Sequence, residues 1–342
     1  MFKVYAVAPE DMSPSNIAVF AQRVEAMGYD GLQVADAIHD GFLLAALALN
    51  ATTRLKICIG VLVIFPRSPM NVAISAWDLQ RLSGGRFELG LGTQVKGNIE
   101  KRYSTPWTPP LKRMREYIES LRAIFDAFQN GTKLDYVGEN YQFTRLQSFF
   151  NPGPIEHPHI PLLMGAVGPK MTNLAGNLAD GMLTHPTNTQ PRYIREVVLP
   201  RLEEGGVSDS ISPGGFQLIL GSFVATGVDD KSIAAERLKY KKLLAFLFST
   251  PVYWPSLELF GWQNVGEQLL ACTRENRWQD MNALINEDML DAFIPTGHYS
   301  DIGELLTKWF DGLGGVLTFP VPRDPCNDSA ATFVIDSLKA GH

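Results

Sequence analysis

LKICIGVLVIFPRSPMNVAISAWDLQRLSGGRFELGL, residues 55–91, decides the fold. Residues 55–64 form a nearly unbroken apolar run, as a parallel strand buried on both faces requires. Residues 69–82 read as a helix headed by Pro69 and closed by Gly84-Gly85. Residues 86–91 return to a strand. Strand, helix and strand in this order make a right-handed βαβ unit in a parallel sheet.

The same rhythm extends in both directions. Toward the N-terminus lie strands at 2–7 and 31–35, a helix from Ser13-Pro14 to Gly28, and an apolar helix at 42–50. Toward the C-terminus comes a helix at 114–128, with apolar residues at 114, 117, 118, 121, 124, 125 and 128. Strands follow at 160–164, 181–184 and 216–226, helices at 171–178, 193–202 and 231–248, and a last helix and strand at 302–310 and 315–319. Two stretches break the rhythm. Residues 130–159 are rich in Gly, Pro, Asn and aromatics, and residues 250–291 carry Tyr253, Trp254, Trp262 and Trp278. The expectation is an α/β fold, a (β/α)8 TIM barrel with insertions after helix 4 and after helix 7, as one domain over 1–342. A doubly wound sheet with a dinucleotide site is the rival. Its glycine-rich first turn is missing, because Ala8-Pro9-Glu10-Asp11 contains no glycine.

Charge and composition exclude several roles. Thirty Lys and Arg against 36 Asp and Glu leave a net charge of −6, with no basic footprint for nucleic acid. The one dense cluster, Lys239, Lys241 and Lys242, reads as the solvated face of a helix. No apolar run approaches the ~20 residues of a membrane span. The opening MFKVYAVAPEDM has a single Lys and meets Pro9, Glu10 and Asp11 at once, unlike a secretory signal. Cys58, Cys272 and Cys326 are far apart and form no CxxC pair, so neither a metal site nor a disulfide framework is expected, and a cytoplasmic setting fits.

In a barrel of this class chemistry sits at the C-terminal ends of the strands. That rule selects Glu10; Asp36, His39 and Asp40; Phe65 and Arg67; Thr93, Gln94, Lys96 and Asn98; the turn Gly165-Ala166-Val167-Gly168-Pro169; and His185, Thr187 and Asn188. The turn at 165–169 has two glycines between strand and helix, then Pro at a first helical position. It is either an anion cradle of free N–H groups, with Lys170 adding charge, or a turn chosen for tight packing. His39 is placed for acid–base work with Asp36 and Asp40 beside it; a structural hydrogen-bonding role is the alternative. GxSxG and HExxH are absent.

The segments RSP (67–69), LSGGRFELGLGT (82–93), MGAVGPKMTNLAGNLADG (164–181) and DMLDAF with the following turn (288–297) resemble, in this order, the luciferase-like superfamily of flavin and deazaflavin oxidoreductases. The third segment is similar to the corresponding stretch of methylenetetrahydromethanopterin reductases. NPGPIEHP (151–158) and STPVYWP (249–255) resemble a subgroup dependent on coenzyme F420. The resemblance runs from Val4 to Phe319 and implies hydride transfer between a bound deazaflavin, coenzyme F420, and a small organic substrate. It implies that Asp36 approaches the ring and that Gly60-Val61 forms a strand bulge with a non-prolyl cis peptide behind it. It places Thr93 and Asn98 near the ribityl and phosphate end, and Ala166, Val167 and Gly168 at the phosphate. The chain departs from its relatives at the proton donor. Ala37 stands where many have His, Val95 where some have Glu, and Ala6 where the reductases have Glu. His39, with Glu10 second, is the residue expected to fill that role. Two alternatives stay open: an FMN-dependent monooxygenase on the same barrel, and a non-catalytic flavin-binding barrel. Related barrels imply a homodimer, for which the aromatic-rich 250–291 region is the candidate interface.

Overall fold

Eight short strands pair in parallel and close on themselves: β1 (Lys3–Val7), β2 (Gly31–Val34), β3 (Lys56–Val63), β4 (Phe87–Gly92), β5 (Leu162–Gly165), β6 (Gly181–Leu183), β7 (Gln217–Leu220) and β8 (Val316–Thr318). The ladder runs in sequence order and ends with β8 on β1, Leu317 opposite Val4. The structure, a computed structural model, describes residues 1–207 and 215–341. The (β/α)8 expectation is borne out, and the stretch read first falls out as β3, the helix Pro69–Ser83 and β4. That helix forms where it does for local reasons. Ser68 caps it by accepting from the Met70 N–H at 3.3 Å, Pro69 opens it, and Gly84 ends it at φ 61° in the left-handed region.

Strand alternation divides the side chains into two sets. Outward ones, such as Val4, Leu32, Ile57, Leu89 and Leu317, are buried under the helices in the main core. Inward ones, Tyr5, Cys58, Leu163, Leu183, Ile219 and Val316, form a separate cluster with Val61 against it. The N-terminal end of the interior is closed by polar groups. Glu88, only 1% exposed, accepts from the Tyr5 hydroxyl at 3.1 Å and from Lys56 Nζ at 2.7 Å.

Four features differ from the sequence expectation. Residues 216–226 are two strands, not one. Ser222 N–H turns back to the Leu220 carbonyl, and Ala225–Gly227 pairs with Thr296–His298 instead of continuing β7. The helix over Asp230–Phe248 is not a barrel helix. Its Tyr240, Leu244 and Phe248 belong to a second core with Leu257, Leu269 and Phe293, while Ile302 and Leu306 of the helix Ile302–Trp309 join the main core. The second insertion therefore opens directly after β7. The final helix, Asp328–Ala340, was not read from the sequence, although Ala331, Val334, Ile335 and Leu338 show the i, i+3, i+4, i+7 spacing of one buried face. The helical stretch over 191–204 contains a π turn at Ile194–Val198 just before Pro200, whose missing N–H cannot continue the tighter ladder. The first insertion lies after the helix Pro110–Asn130, as expected, and holds a short antiparallel ribbon of 136–137 with 142–143. Among the described residues no helix is long and apolar enough to cross a membrane.

Candidate active site

The open end of the barrel is built from small inward residues. Alternation from Glu88, Leu163 and Ile219 puts Gly90, Gly92, Gly165 and Gly221 on the inner wall above the apolar cluster. The Gly60–Val61 peptide is cis, as the resemblance implied, and the β3–β4 register shifts between Ile59 and Leu62. This bulge aims the half-buried Val61 across the neighbouring strands. A Cβ added at Gly92 would stand 2.4 Å from Val61 Cγ2, and one at Gly165 would stand 2.9 Å from Cγ1. Glycine at both places is what lets Val61 lie there. Beside it, Gln33 Nε2 is buried without a partner, one of two such side-chain atoms among the described residues. A Cβ at Gly60 would meet the Gln33 amide at 3.4 Å.

Asp36, 9% exposed at the end of β2, is a structural knot. Oδ1 accepts from the Gly41 N–H at 3.0 Å, and Oδ2 accepts from the Val63 N–H at 2.9 Å and from Arg67 Nη1 at 2.6 Å. Arg67 also reaches Asp40 at 2.9 Å. His39 is half-buried between these two carboxylates in sequence, yet its ring bonds to no described residue. Glu10 is exposed on the turn after β1 and also bonds to nothing described. The structure thus gathers Asp36, Arg67 and Asp40 but does not join His39 or Glu10 to them.

After β4 the chain makes a tight turn in which Gln94 adopts φ 57°. Its Oε1 accepts from the Val95 N–H at 2.9 Å and from Asn98 Nδ2 at 3.2 Å, while the Thr93 hydroxyl donates to the Gln94 carbonyl. Arg102 Nη2 donates to the Ala37 carbonyl at 2.7 Å, tying this turn to the loop after β2. Thr93 and Asn98 therefore stand beside the Asp36 loop. After β5, Gly165 to Gly168 lead into the helix Pro169–Leu178, whose first turn has no side-chain cap. A Cβ at Gly168 would meet nothing within 4 Å, so the turn borders open space at the start of this helix. Asn188, buried, braces the turn by donating from Nδ2 to the Ala166 carbonyl at 3.1 Å.

His185 was among the strand-end residues but not among the expected catalytic ones. It sits two residues beyond β6, stacked on Tyr253 of the second insertion with ring centroids 4.6 Å apart and planes 11° from parallel. Its Nδ1 lies 2.8 Å from the Thr187 hydroxyl. Burial pushes its pKa down to about 4. Sequence proximity could not reveal this pairing, because the insertion fold brings Tyr253 to it. The other aromatics of that region have a local purpose: Trp254, Phe260 and Trp262 pack on the insertion's own core, and Trp278 is exposed.

A family model described as luciferase-like monooxygenase matches residues 2–315. The chain belongs to the luciferase-like monooxygenase family. An uncharacterized protein of Mycobacterium tuberculosis is 40% identical over 293 residues, 86% of each chain. The 5,10-methylenetetrahydromethanopterin reductase of Archaeoglobus fulgidus is 27% identical over 301 residues, 87% of each chain. Among solved structures, the coenzyme F420 dependent tetrahydromethanopterin reductase of Methanopyrus kandleri superposes with a TM-score of 0.77 at 19% identity, covering 99% of both chains. At that identity the likeness shows the barrel. The luciferase-like family assignment and the similarity to methylenetetrahydromethanopterin reductase agree with the resemblance seen in the sequence.

Proposed function

We propose that this luciferase-like barrel is an F420-dependent oxidoreductase acting on a small organic substrate. One observation carries the reading: Val61, seated against Gly92 and Gly165, forms an apolar backstop at the open end of the barrel, next to the uncapped helix start at Gly168. A planar ring with an anionic tail has the shape and charge for that pair of features, and the unpaired Gln33 amide beside the backstop is a donor such a ring can use. Relatives named a putative coenzyme F420-dependent oxidoreductase and an F420-dependent glucose-6-phosphate dehydrogenase support a deazaflavin over FMN.

In this reading Gly60, Val61 and Asp36 shape the ring pocket, Thr93 and Asn98 line the ribityl path, and Gly165, Ala166, Val167, Gly168 and Pro169 hold the phosphate. Bound there, the deazaflavin would supply or accept the hydride. The protein's own tasks are simpler. Val61 would lie against one face of the ring, the 165–169 turn would anchor the tail, and His39 on the loop after β2 would be the proton partner, with Glu10 on the turn after β1 second. The protein is further read as one barrel domain, a cytoplasmic homodimer with no nucleic-acid or membrane partner.

The test is an anaerobic reaction of the protein with reduced F420 and a panel of ketones, aldehydes and imines, followed by absorbance. Substrate-dependent reoxidation without oxygen supports the proposal. Consumption of oxygen with reduced FMN instead would favour the monooxygenase alternative, and binding without turnover would favour the non-catalytic one.

A further inference from the structure

The surroundings of His185 fix which of its nitrogens carries the proton. The Thr187 backbone N–H points at Nδ1 from 3.4 Å, and the Thr187 hydroxyl lies 2.8 Å from the same atom. A backbone N–H can only donate, so this contact favours Nδ1 as the acceptor and the proton of the neutral ring on Nε2. Nε2 itself has no partner among the described residues and is not among the buried unpaired atoms. The ring cannot swing away. One face lies on Tyr253, and its residue is held by the bond from its own N–H to Asn188 Oδ1 at 2.7 Å. Asn188 in turn grips Ala166 of the 165–169 turn, and Leu183, two residues before His185, packs against the Gly60 position, 3.0 Å from a Cβ built there. A rigid, single N–H donor is thus fixed at the same end of the barrel as Val61 and Gly168.

We propose that His185 is a catalytic residue of this site, donating from Nε2–H to the oxygen of an uncharged carbonyl substrate, with Tyr253 as its positioning residue. The inference rests on the hydride-transfer reading and names the substrate class for it. In the reducing direction the carbonyl carbon accepts a hydride from the reduced deazaflavin, and the C=O π pair moves onto oxygen. The resulting alkoxide is held by Nε2–H and takes its proton from His39, the proton partner of the proposed function, which recovers it from solvent. A neutral imidazole suits this task, because it stabilises developing negative charge without surrendering its own proton. Burial, which holds the ring's pKa at about 4, keeps it neutral at physiological pH.

Two readouts test this without turnover. Long-range 1H–15N correlation on the protein without cofactor reports the tautomer of His185. The expected result is a protonated Nε2 and a bare Nδ1 at pH 7, with the Nε2 resonance moving when cyclohexanone is added. A protonated Nδ1, or an Nε2 resonance indifferent to cyclohexanone, overturns the proposal. In the second, His185→Asn keeps a side chain suited to capping the 186–188 turn, and Tyr253→Phe keeps the stack while Tyr253→Ala removes it. His185→Asn and Tyr253→Ala should weaken cyclohexanone binding at least tenfold, with F420 affinity within threefold of the parent and Tyr253→Phe unchanged. Equal cyclohexanone affinity in His185→Asn overturns the proposal. Failure of the parent protein to bind F420 defeats the cofactor reading instead, and the wild-type spectrum still reports on His185 if a variant does not fold.

Discussion

Arg67 grips the carboxylate of Asp36 with both ends of its guanidinium, Nη1 2.6 Å from Oδ2 and Nη2 3.3 Å from Oδ1. With the Gly41 and Val63 N–H groups on the same carboxylate, every strong acceptor position of Asp36 is engaged. The acid at the end of β2 therefore splices the start of the helix Gly41–Ala51 to the end of β3.

Its removal should be felt first in stability. Asp36→Asn cannot accept in all four directions and leaves Arg67, three-quarters buried, short of a counter-charge. Breaking such a pair from one side costs about 3 kcal/mol. Urea denaturation should show that loss. A stable Asp36→Asn protein would contradict this structural role and leave Asp36 only its place in the ring pocket.

The backstop makes a second prediction through a double-mutant cycle. Gly92→Ala drives a methyl to 2.4 Å from Val61 Cγ2 and should destabilise the protein by about 1–3 kcal/mol while lowering cofactor affinity. Val61→Ala should leave Gly92→Ala much better tolerated, with a coupling above about 0.5 kcal/mol. Additive losses would show that the two residues do not share space.

The closed end of the barrel is expected to behave differently. Glu88 is held by Tyr5, Lys56 and, at 3.5 Å, Gln217. Glu88→Ala strands the Tyr5 hydroxyl and takes the counter-charge from Lys56, at a cost of about 3 kcal/mol, whereas Tyr5→Phe removes one neutral donor and should cost about 1–2 kcal/mol. Neither should change cofactor affinity by more than about twofold, since a TIM barrel's chemistry lies at the other end. Thermal melts and fluorescence titrations on the two variants check both statements.

His185 predicts a pH dependence. Its pKa falls from 6.5 to about 4 because burial disfavours the charged ring. Between those values the unfolded chain binds a proton that the folded chain does not, so the stability is fully present above pH 6.5 and is lost as pH falls toward 4. For a half-buried ring the loss is about 2 kcal/mol. Comparing urea midpoints at pH 7.5 and 4.5 in the parent and in His185→Asn isolates it. The variant should lose less stability on acidification, and an equal loss would contradict the shift.

These sites were unequally legible in the sequence. The apolar run at 55–64 and the helix after it could be read because a strand buried on both faces and a helix between a Pro and a Gly pair each leave a local pattern. The 165–169 turn was legible for the same reason. The boundary of the second insertion was not. The helix Asp230–Phe248 has an ordinary apolar stripe, and nothing local says whether that stripe faces the barrel or a separate core. The break in β7 was hidden because Phe223 to Ala225 continue the apolar composition of the strand, although pairing resumes only at Ala225 and with a different strand. His185 and Tyr253 could not be connected from 68 positions apart, since their stack depends on how the insertion returns to the barrel mouth. His39 shows the opposite case, a residue whose position in sequence suggested a network that its side chain does not join.

The most direct measurement of the central claim is a titration of the purified protein with coenzyme F420 and, separately, with FMN, following quenching of tryptophan fluorescence. Trp107, packed edge-on against Phe65 just beyond β3, is a reporter near the mouth. The account predicts saturable binding of F420 with FMN at least a hundredfold weaker. Tighter binding of FMN, or binding of neither, would contradict it.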